Sequence, residues 1–169
     1  MYRYFFKRLI DIRETLILLP FVVLEIILLA PIIWLTDRGP VFYNALRAGK
    51  NYKLFKMFKL RTMYVNSQDI RNPDGSTFKS DKEPRVTPIG RLMRKTSLDE
   101  IPQCLNTLLG QMSFVGPRPK LYNPQETLES FEGDRKVSYA VKSGVTVYAQ
   151  AYFRNSITQD EVLKHSYIL

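Results

Sequence analysis

The chain has 169 residues, enough for one compact domain and too few for two cores of ordinary size. A net charge of +9 suits an anionic partner, whether nucleic acid, lipid headgroups or a polyphosphate, and does not choose among them. Cys104 and His165 are the only residues of their kinds, which excludes an intrachain disulfide and a Cys/His metal cluster and fits a reducing, cytoplasm-facing location.

Residues 15–34 are almost wholly apolar, close to the ~20 residues a helix needs to cross a bilayer. Pro20 and Pro31 interrupt helical hydrogen bonding, and Glu25 sits mid-stretch. Arg3, Lys7, Arg8 and Arg13 precede the segment, and Arg38, Arg47 and Lys50 follow it. Positive charge at both ends favours entry and exit by one face, so a re-entrant segment is expected, with Glu25 marking a wetter break. The competing readings are a single crossing and an uncleaved signal peptide; no small-residue cleavage site follows the apolar run.

After the Arg38-Gly39-Pro40 turn, Val41-Phe42-Tyr43 reads as a short strand. Ala48-Gly49-Lys50-Asn51 reads as a turn before residues 52–59, giving a hairpin-like unit. There Lys53, Lys56 and Lys59 alternate with Leu54, Phe55, Met57 and Phe58. A solvated basic face over an aromatic core explains this pattern as well as a binding role does. Lys59 and Arg61 suit a pyrophosphate, arginine offering a planar fork of donors and lysine a compact charge. Residues 66–83 read as an exposed loop around Asn72-Pro73-Asp74-Gly75-Ser76. Its Asp69, Asp74 and Asp81 lack the spacing and closing glutamate of an EF-hand.

Thr87-Pro88 can start a helix, with Ile89, Leu92 and Met93 on one face and Arg91, Arg94 and Lys95 off it. That pattern fits a membrane interface or a core helix. Ser97 and Glu100 then have capping-box spacing, and Asp99 and Glu100 can be plain first-turn acids favoured by the helix dipole. Their company favours chemistry: Arg91, Arg94 and Lys95 lie upstream, and Gly116-Pro117-Arg118-Pro119 follows a helix expected over residues 101–109. Paired carboxylates beside cations suit covalent phosphoryl transfer, one attacking phosphorus and the other helping to hold a divalent ion. Magnesium needs only one or two carboxylates plus substrate phosphates.

These residues resemble the bacterial sugar transferase family, small monotopic polyprenyl-phosphate sugar-phosphate transferases. The resemblance runs through Lys7-Arg8-Leu9-Ile10-Asp11, Gly39-Pro40-Val41-Phe42, Phe58-Lys59-Leu60-Arg61-Thr62-Met63 and Pro84-Arg85-Val86-Thr87. It continues through the segment from Arg94 to Gln103 and through Met112-Ser113-Phe114-Val115-Gly116-Pro117-Arg118-Pro119. It implies a ping-pong reaction in which Asp99 attacks the sugar-bearing phosphate of a UDP-sugar, expels UMP and passes the group to polyprenyl phosphate. Glu100 would assist Mg2+ binding, and Lys59, Arg94 and Arg118 would match basic positions of the family's active site. Three places depart: Leu24-Glu25 stands near the family's Ser-Pro break, Val147 near a second glycine, and Ser166 where an aspartate is usual, Asp160 being the nearest earlier acid.

The expected fold is α+β and mainly helical. Residues 1–37 form a re-entrant membrane helix-break-helix, and residues 38–169 form one cytoplasmic catalytic domain with amphipathic interfacial helices and a short β-hairpin. The expected place is the cytoplasmic face of a bacterial inner membrane. Two other functions compete: a non-catalytic membrane module of the same fold, and a basic nucleic-acid-binding protein. The latter leaves the apolar N-terminus and the acid pair without roles and lacks a binding motif, so nucleic acid is not an expected partner.

Overall fold

A computed structural model describes residues 2–68, 70 and 83–146. Most of the loop read over residues 66–83, with Asp69, Asp74 and Asp81, lies outside the described residues, as do Val147, Asp160 and Ser166. The described chain is mainly helical, with short strands.

Helix α1 (Tyr2–Asp37) runs through both Pro20 and Pro31 without the break expected near Glu25. It is long and apolar enough to cross a membrane, and Leu16, Ile17, Phe21, Ile27, Leu28 and Leu35 are exposed along it. Among its described positions, Asp11, Thr15, Val22 and Ile33 are buried.

Two compact units divide the chain. The first comprises the described residues of Met1–Pro20, Asn44–Phe58 and Gln103–Leu169. In it, β1 (Ala45–Ala48) pairs antiparallel with β2 (Leu54–Met57), registering Ala45 with Met57 and Ala48 with Leu54. The hairpin is real but lies a few residues later than Val41-Phe42-Tyr43. Its connection is closed by Gly49 N–H donating to Lys53 O at 2.9 Å, with Asn51 and Tyr52 in left-handed conformations at φ 55° and 58°. Tyr52 thereby enters an aromatic cluster with Tyr122, Phe131 and Tyr139. Along β2, Phe55 and Met57 turn inward onto Met112 while Leu54 and Lys56 face outward. Lys56 thus lies with Leu54 on the outward face of β2, over a core of Phe55, Met57 and Met112.

Helix α3 (Gln103–Leu108) carries the buried Cys104 and leads to β3 (Met112–Val115). Strand β4 (Lys120–Leu121) then joins β1, and α4 (Gly133–Ser138) leads to β5 (Ser143–Thr146), which pairs parallel with β3. Gly116 and Gly144 meet back to back, where a Cβ on Gly144 would stand 2.2 Å from Gly116 N. Helix α1 is tied into this unit by Asp11, which accepts from Ser113 Oγ at 2.9 Å and from Phe114 N–H at 3.0 Å. Arg8 donates to the carbonyls of Thr107 and Leu108, closing the C-terminal end of α3.

The second unit comprises Phe21–Tyr43 and Lys59–Pro102. Its core gathers Ile33, Leu60 and Met93, with Val41, Phe42, Ile89 and Leu98 packed against them. Phe42 bridges Leu60, and Met63 bridges Val86. Helix α2 (Pro88–Thr96) starts as its sequence predicts: Pro88 opens it, and Thr87 Oγ1 accepts from Gly90 N–H at 2.9 Å. Met93 is buried while Arg91, Leu92 and Lys95 face outward.

Candidate active site

Ser97 ends α2 in a left-handed conformation at φ 61°, its N–H closing back on Arg94 O. The chain then makes a single 3-10 turn, Leu98–Glu100. The Ser97 side chain makes no capping bond, so the capping box suggested by its spacing does not form. Ser97 instead serves as the reversal that aims the next two residues. Leu98 packs on the Ile33, Leu60 and Met93 cluster, and Leu60 N–H donates to Asp99 O at 3.0 Å. Those two anchors bring Asp99 against the segment that carries Lys59. Neither acid belongs to α3, which begins at Gln103.

Lys59 Nζ lies 2.8 Å from Asp99 Oδ2 and donates to Glu100 Oε1 at 3.2 Å. The Asp99 side chain is 3% exposed, that of Lys59 22% and that of Glu100 33%. The Lys59 approach to Asp99 Oδ2 is an ion pair outside hydrogen-bond alignment, and that oxygen has no hydrogen-bond partner. A buried carboxylate is thus held beside a partly open cation, which balances its charge. One lysine faces two carboxylates, and the more exposed carboxylate sits on the open side.

The other basic residues separate clearly. Arg94, in the same unit, donates from Nε to Thr62 Oγ1 at 2.9 Å and from an NH group to Glu83 Oε2 at 3.4 Å. Arg61 is committed elsewhere: its two terminal nitrogens grip Asp37 at 2.8 and 2.6 Å, and its side chain is 8% exposed. Arg118 is exposed on the turn between β3 and β4 and belongs to the first unit. Lys59, Asp99 and Glu100 are therefore brought together; Arg61 is held by Asp37, and Arg94 by Thr62 and Glu83.

Asp37 and Glu83 escaped the sequence reading. Asp37 had a legible signal, because an acid at a helix C-terminus opposes the helix dipole unless a cation meets it. It also accepts from Val65 N–H at 2.8 Å. Glu83 stands before Pro84-Arg85 with no local pattern to single it out. Glu25 keeps both carboxylate oxygens buried without hydrogen-bond partners.

Among the described residues, no group of three or more His, Cys, Asp or Glu side chains could hold a metal ion alone. Magnesium does not require such a cage when a substrate supplies phosphate oxygens. The oxygen-only pair of Glu100 and Asp99, with Asp99 Oδ2 lacking a hydrogen bond, suits that ion. In the first unit, burial depresses Lys120 below the ordinary lysine range. Its ammonium lies 5.5 Å from the Tyr139 ring centre and donates to Ser138 Oγ at 3.3 Å.

A family profile described as bacterial sugar transferase matches residues 2–168. The chain belongs to that family. Among bacterial sugar transferases it is 37% identical over 166 residues to galactosyl transferase CpsE of Streptococcus agalactiae, covering 94% of this chain and 36% of the relative. It is 38% identical over 135 residues to the undecaprenyl-phosphate galactose phosphotransferase of Salmonella typhimurium, covering 73% of this chain and 28% of the relative. It is 37% identical over 145 residues to the UDP-glucose:undecaprenyl-phosphate glucose-1-phosphate transferase of Klebsiella pneumoniae, covering 86% and 30% respectively. The chain thus spans between 28% and 36% of the length of these three relatives.

Proposed function

We propose that this chain transfers a sugar-1-phosphate from a UDP-sugar to polyprenyl phosphate at the cytoplasmic face of a bacterial inner membrane. The observation that carries the proposal is the Lys59, Asp99 and Glu100 cluster, in which a buried carboxylate is ion-paired with a partly open lysine that a second carboxylate shares. The names of the Salmonella and Klebsiella relatives support the acceptor, and that of the Klebsiella relative the donor.

In the first half-reaction an oxygen of the Asp99 carboxylate bonds to the sugar-bearing phosphorus. The bond from that phosphorus to the bridging oxygen breaks, and UMP leaves with the electron pair. Lys59 compensates the charge of Asp99 beforehand and, as charge moves toward the leaving phosphate, stabilises it there. In the second half-reaction an oxygen of polyprenyl phosphate attacks the same phosphorus. The Asp99–phosphorus bond breaks, restoring the carboxylate and yielding a polyprenyl diphosphate sugar. Glu100 would hold Mg2+ on its open side, where the ion neutralises pyrophosphate charge. Arg94 and Arg118 are assigned to substrate phosphates. Arg61 serves instead to fix the end of α1 through Asp37.

A re-entrant course for α1, entering and leaving by the cytoplasmic face, would require it to bend within its apolar stretch while staying helical. Its exposed apolar side chains, the basic residues at both ends and the mid-helix Glu25 support that arrangement. A lipid acceptor would then reach the site from the bilayer.

The test is mass spectrometry after brief exposure to a panel of UDP-sugars with Mg2+ and no acceptor. A sugar-phosphate adduct on Asp99, with one equivalent of UMP released, is the expected result, and it identifies the sugar as well. UMP release that persists unchanged in Asp99→Asn would sink the covalent route.

A further inference from the structure

Glu83 is 1% exposed, and the reaction outlined above gives it no part. Its place follows from a short antiparallel exchange. Thr87 N–H donates to Thr62 O at 3.0 Å, Tyr64 N–H donates to Arg85 O at 3.0 Å, and Met63 bridges Val86 between them. Helix α2 is laid directly on this exchange: a Cβ on Gly90 would stand 2.0 Å from Thr62 O, so only glycine permits the approach. Arg94 follows Gly90 by four residues, one turn further along the same face.

Thr62 and Glu83 consequently meet Arg94 together. Thr62 Oγ1 takes the Nε hydrogen at 2.9 Å, and Glu83 Oε2 takes an NH hydrogen at 3.4 Å. The other oxygen of Glu83 is paired with Arg85, which fixes the carboxylate from behind. The Arg94 side chain nevertheless keeps 35% of its surface open. A guanidinium held this way has lost its freedom before any ligand arrives, and preorganised donors bind and stabilise anionic groups better than mobile ones.

We propose that Glu83 is a positioning residue: with Thr62 it clamps Arg94 so that the open part of its guanidinium meets a phosphate of the donor. The phosphate rests on the transferase reading above, whereas the clamp rests on the geometry alone. Glu83 acts only through Arg94 and touches no substrate.

The experiment uses the full chain in lipid nanodiscs and reads the Arg94 Nε–H resonance by NMR, with inorganic pyrophosphate as the probe. In wild type the signal is a single slowly exchanging peak that shifts on pyrophosphate addition. Glu83→Gln, and separately Thr62→Val, speed its solvent exchange and weaken the pyrophosphate response by roughly tenfold, the scale of one lost charge-assisted hydrogen bond. Thr62→Ser, which keeps the hydroxyl, restores wild-type behaviour. In steady-state UMP release the same variants raise KM for the UDP-sugar more than they lower kcat. The double variant Arg94→Ala with Glu83→Gln is no worse than Arg94→Ala alone. An Arg94 signal and pyrophosphate response unchanged in both Glu83→Gln and Thr62→Val overturns the proposal, as do penalties that multiply in the double variant. If the variants loosen Arg94 as expected but wild type releases no UMP from any donor, the clamp stands and the transferase reading falls.

Discussion

Lys59 and Arg61 stand two residues apart, and their partners follow opposite rules. Arg61 meets one acid, Asp37, through two hydrogen bonds, the arginine side chain buried and the aspartate half-buried. Lys59 meets two acids, donating to Glu100 and standing 2.8 Å from Asp99 Oδ2 as an ion pair, while 22% of its own side chain stays open. In the closed pair, both oxygens of Asp37 are committed, to Arg61 and to the N–H groups of Gly39 and Val65, which leaves that carboxylate little capacity for a ligand. An open pair holds charge in place while keeping capacity for a new partner. The distinction separates an arginine paired with one acid from a lysine shared between two, although both look alike as basic residues in one motif.

The contrast can be broken most sharply at the open pair. Asp99→Asn is nearly isosteric, so melting should change little while UMP release falls by at least about a thousandfold, the scale of losing a nucleophile. Chelation of divalent ions should likewise abolish UMP release, and restoring Mg2+ should recover it; full activity in a chelator would remove the metal from the scheme. At the closed pair the loss should appear in stability. Arg61→Met strands the Asp37 carboxylate and should cost about 3–5 kcal/mol in denaturant unfolding, much of it regained when Asp37→Leu is added. Equal stability losses at Lys59 and Arg61 would erase the comparison. Lys59→Gln should instead lower kcat by about a hundredfold with a smaller change in melting, since Lys59 is partly solvated.

The smallest effect lies away from both pairs. Burial holds Lys120 below its ordinary 10.5, so in the alkaline range beneath that value the unfolded chain binds more protons than the folded one. Its contribution to stability therefore climbs as pH rises toward 10.5. Lys120→Met should flatten that climb in melting curves taken across the range. Tyr52 and Tyr139, raised by burial, work in the opposite sense only above 10.0.

What could be read in advance was whatever local chemistry decides. Thr87 and Pro88 start α2 because a hydroxyl cap and a fixed φ act within one turn. The hairpin was legible as a hairpin, but its strands shifted to Ala45–Ala48 and Leu54–Met57, where Phe55 and Met57 reach Met112 across the sequence. The role of Ser97 was not legible. Its spacing to Glu100 matches a capping box, yet the burial of Leu98 against Ile33 and Leu60 makes it a left-handed reversal. The acid pair and Lys59 were identified as candidates from residue type and company, but the ion pair joining them spans forty residues of chain, from Lys59 to Asp99. Asp37 belongs to the same class, since Arg61 reaches it from twenty-four residues away, whereas Glu83 takes one cation from Arg85, two residues on, and another from Arg94.

The interleaving of the two units gives synthesis a definite order. Pro102 completes the residues of the second unit, while the first unit still lacks its stretch from Gln103 onward. At ribosomal rates of roughly 5–20 residues per second, the remaining strands of the first unit follow within a few seconds. Ser113, the partner of Asp11 near the start of the chain, is added fourteen residues after Asp99, so the tie between α1 and β3 becomes possible only once the turn bearing Asp99 has been synthesised.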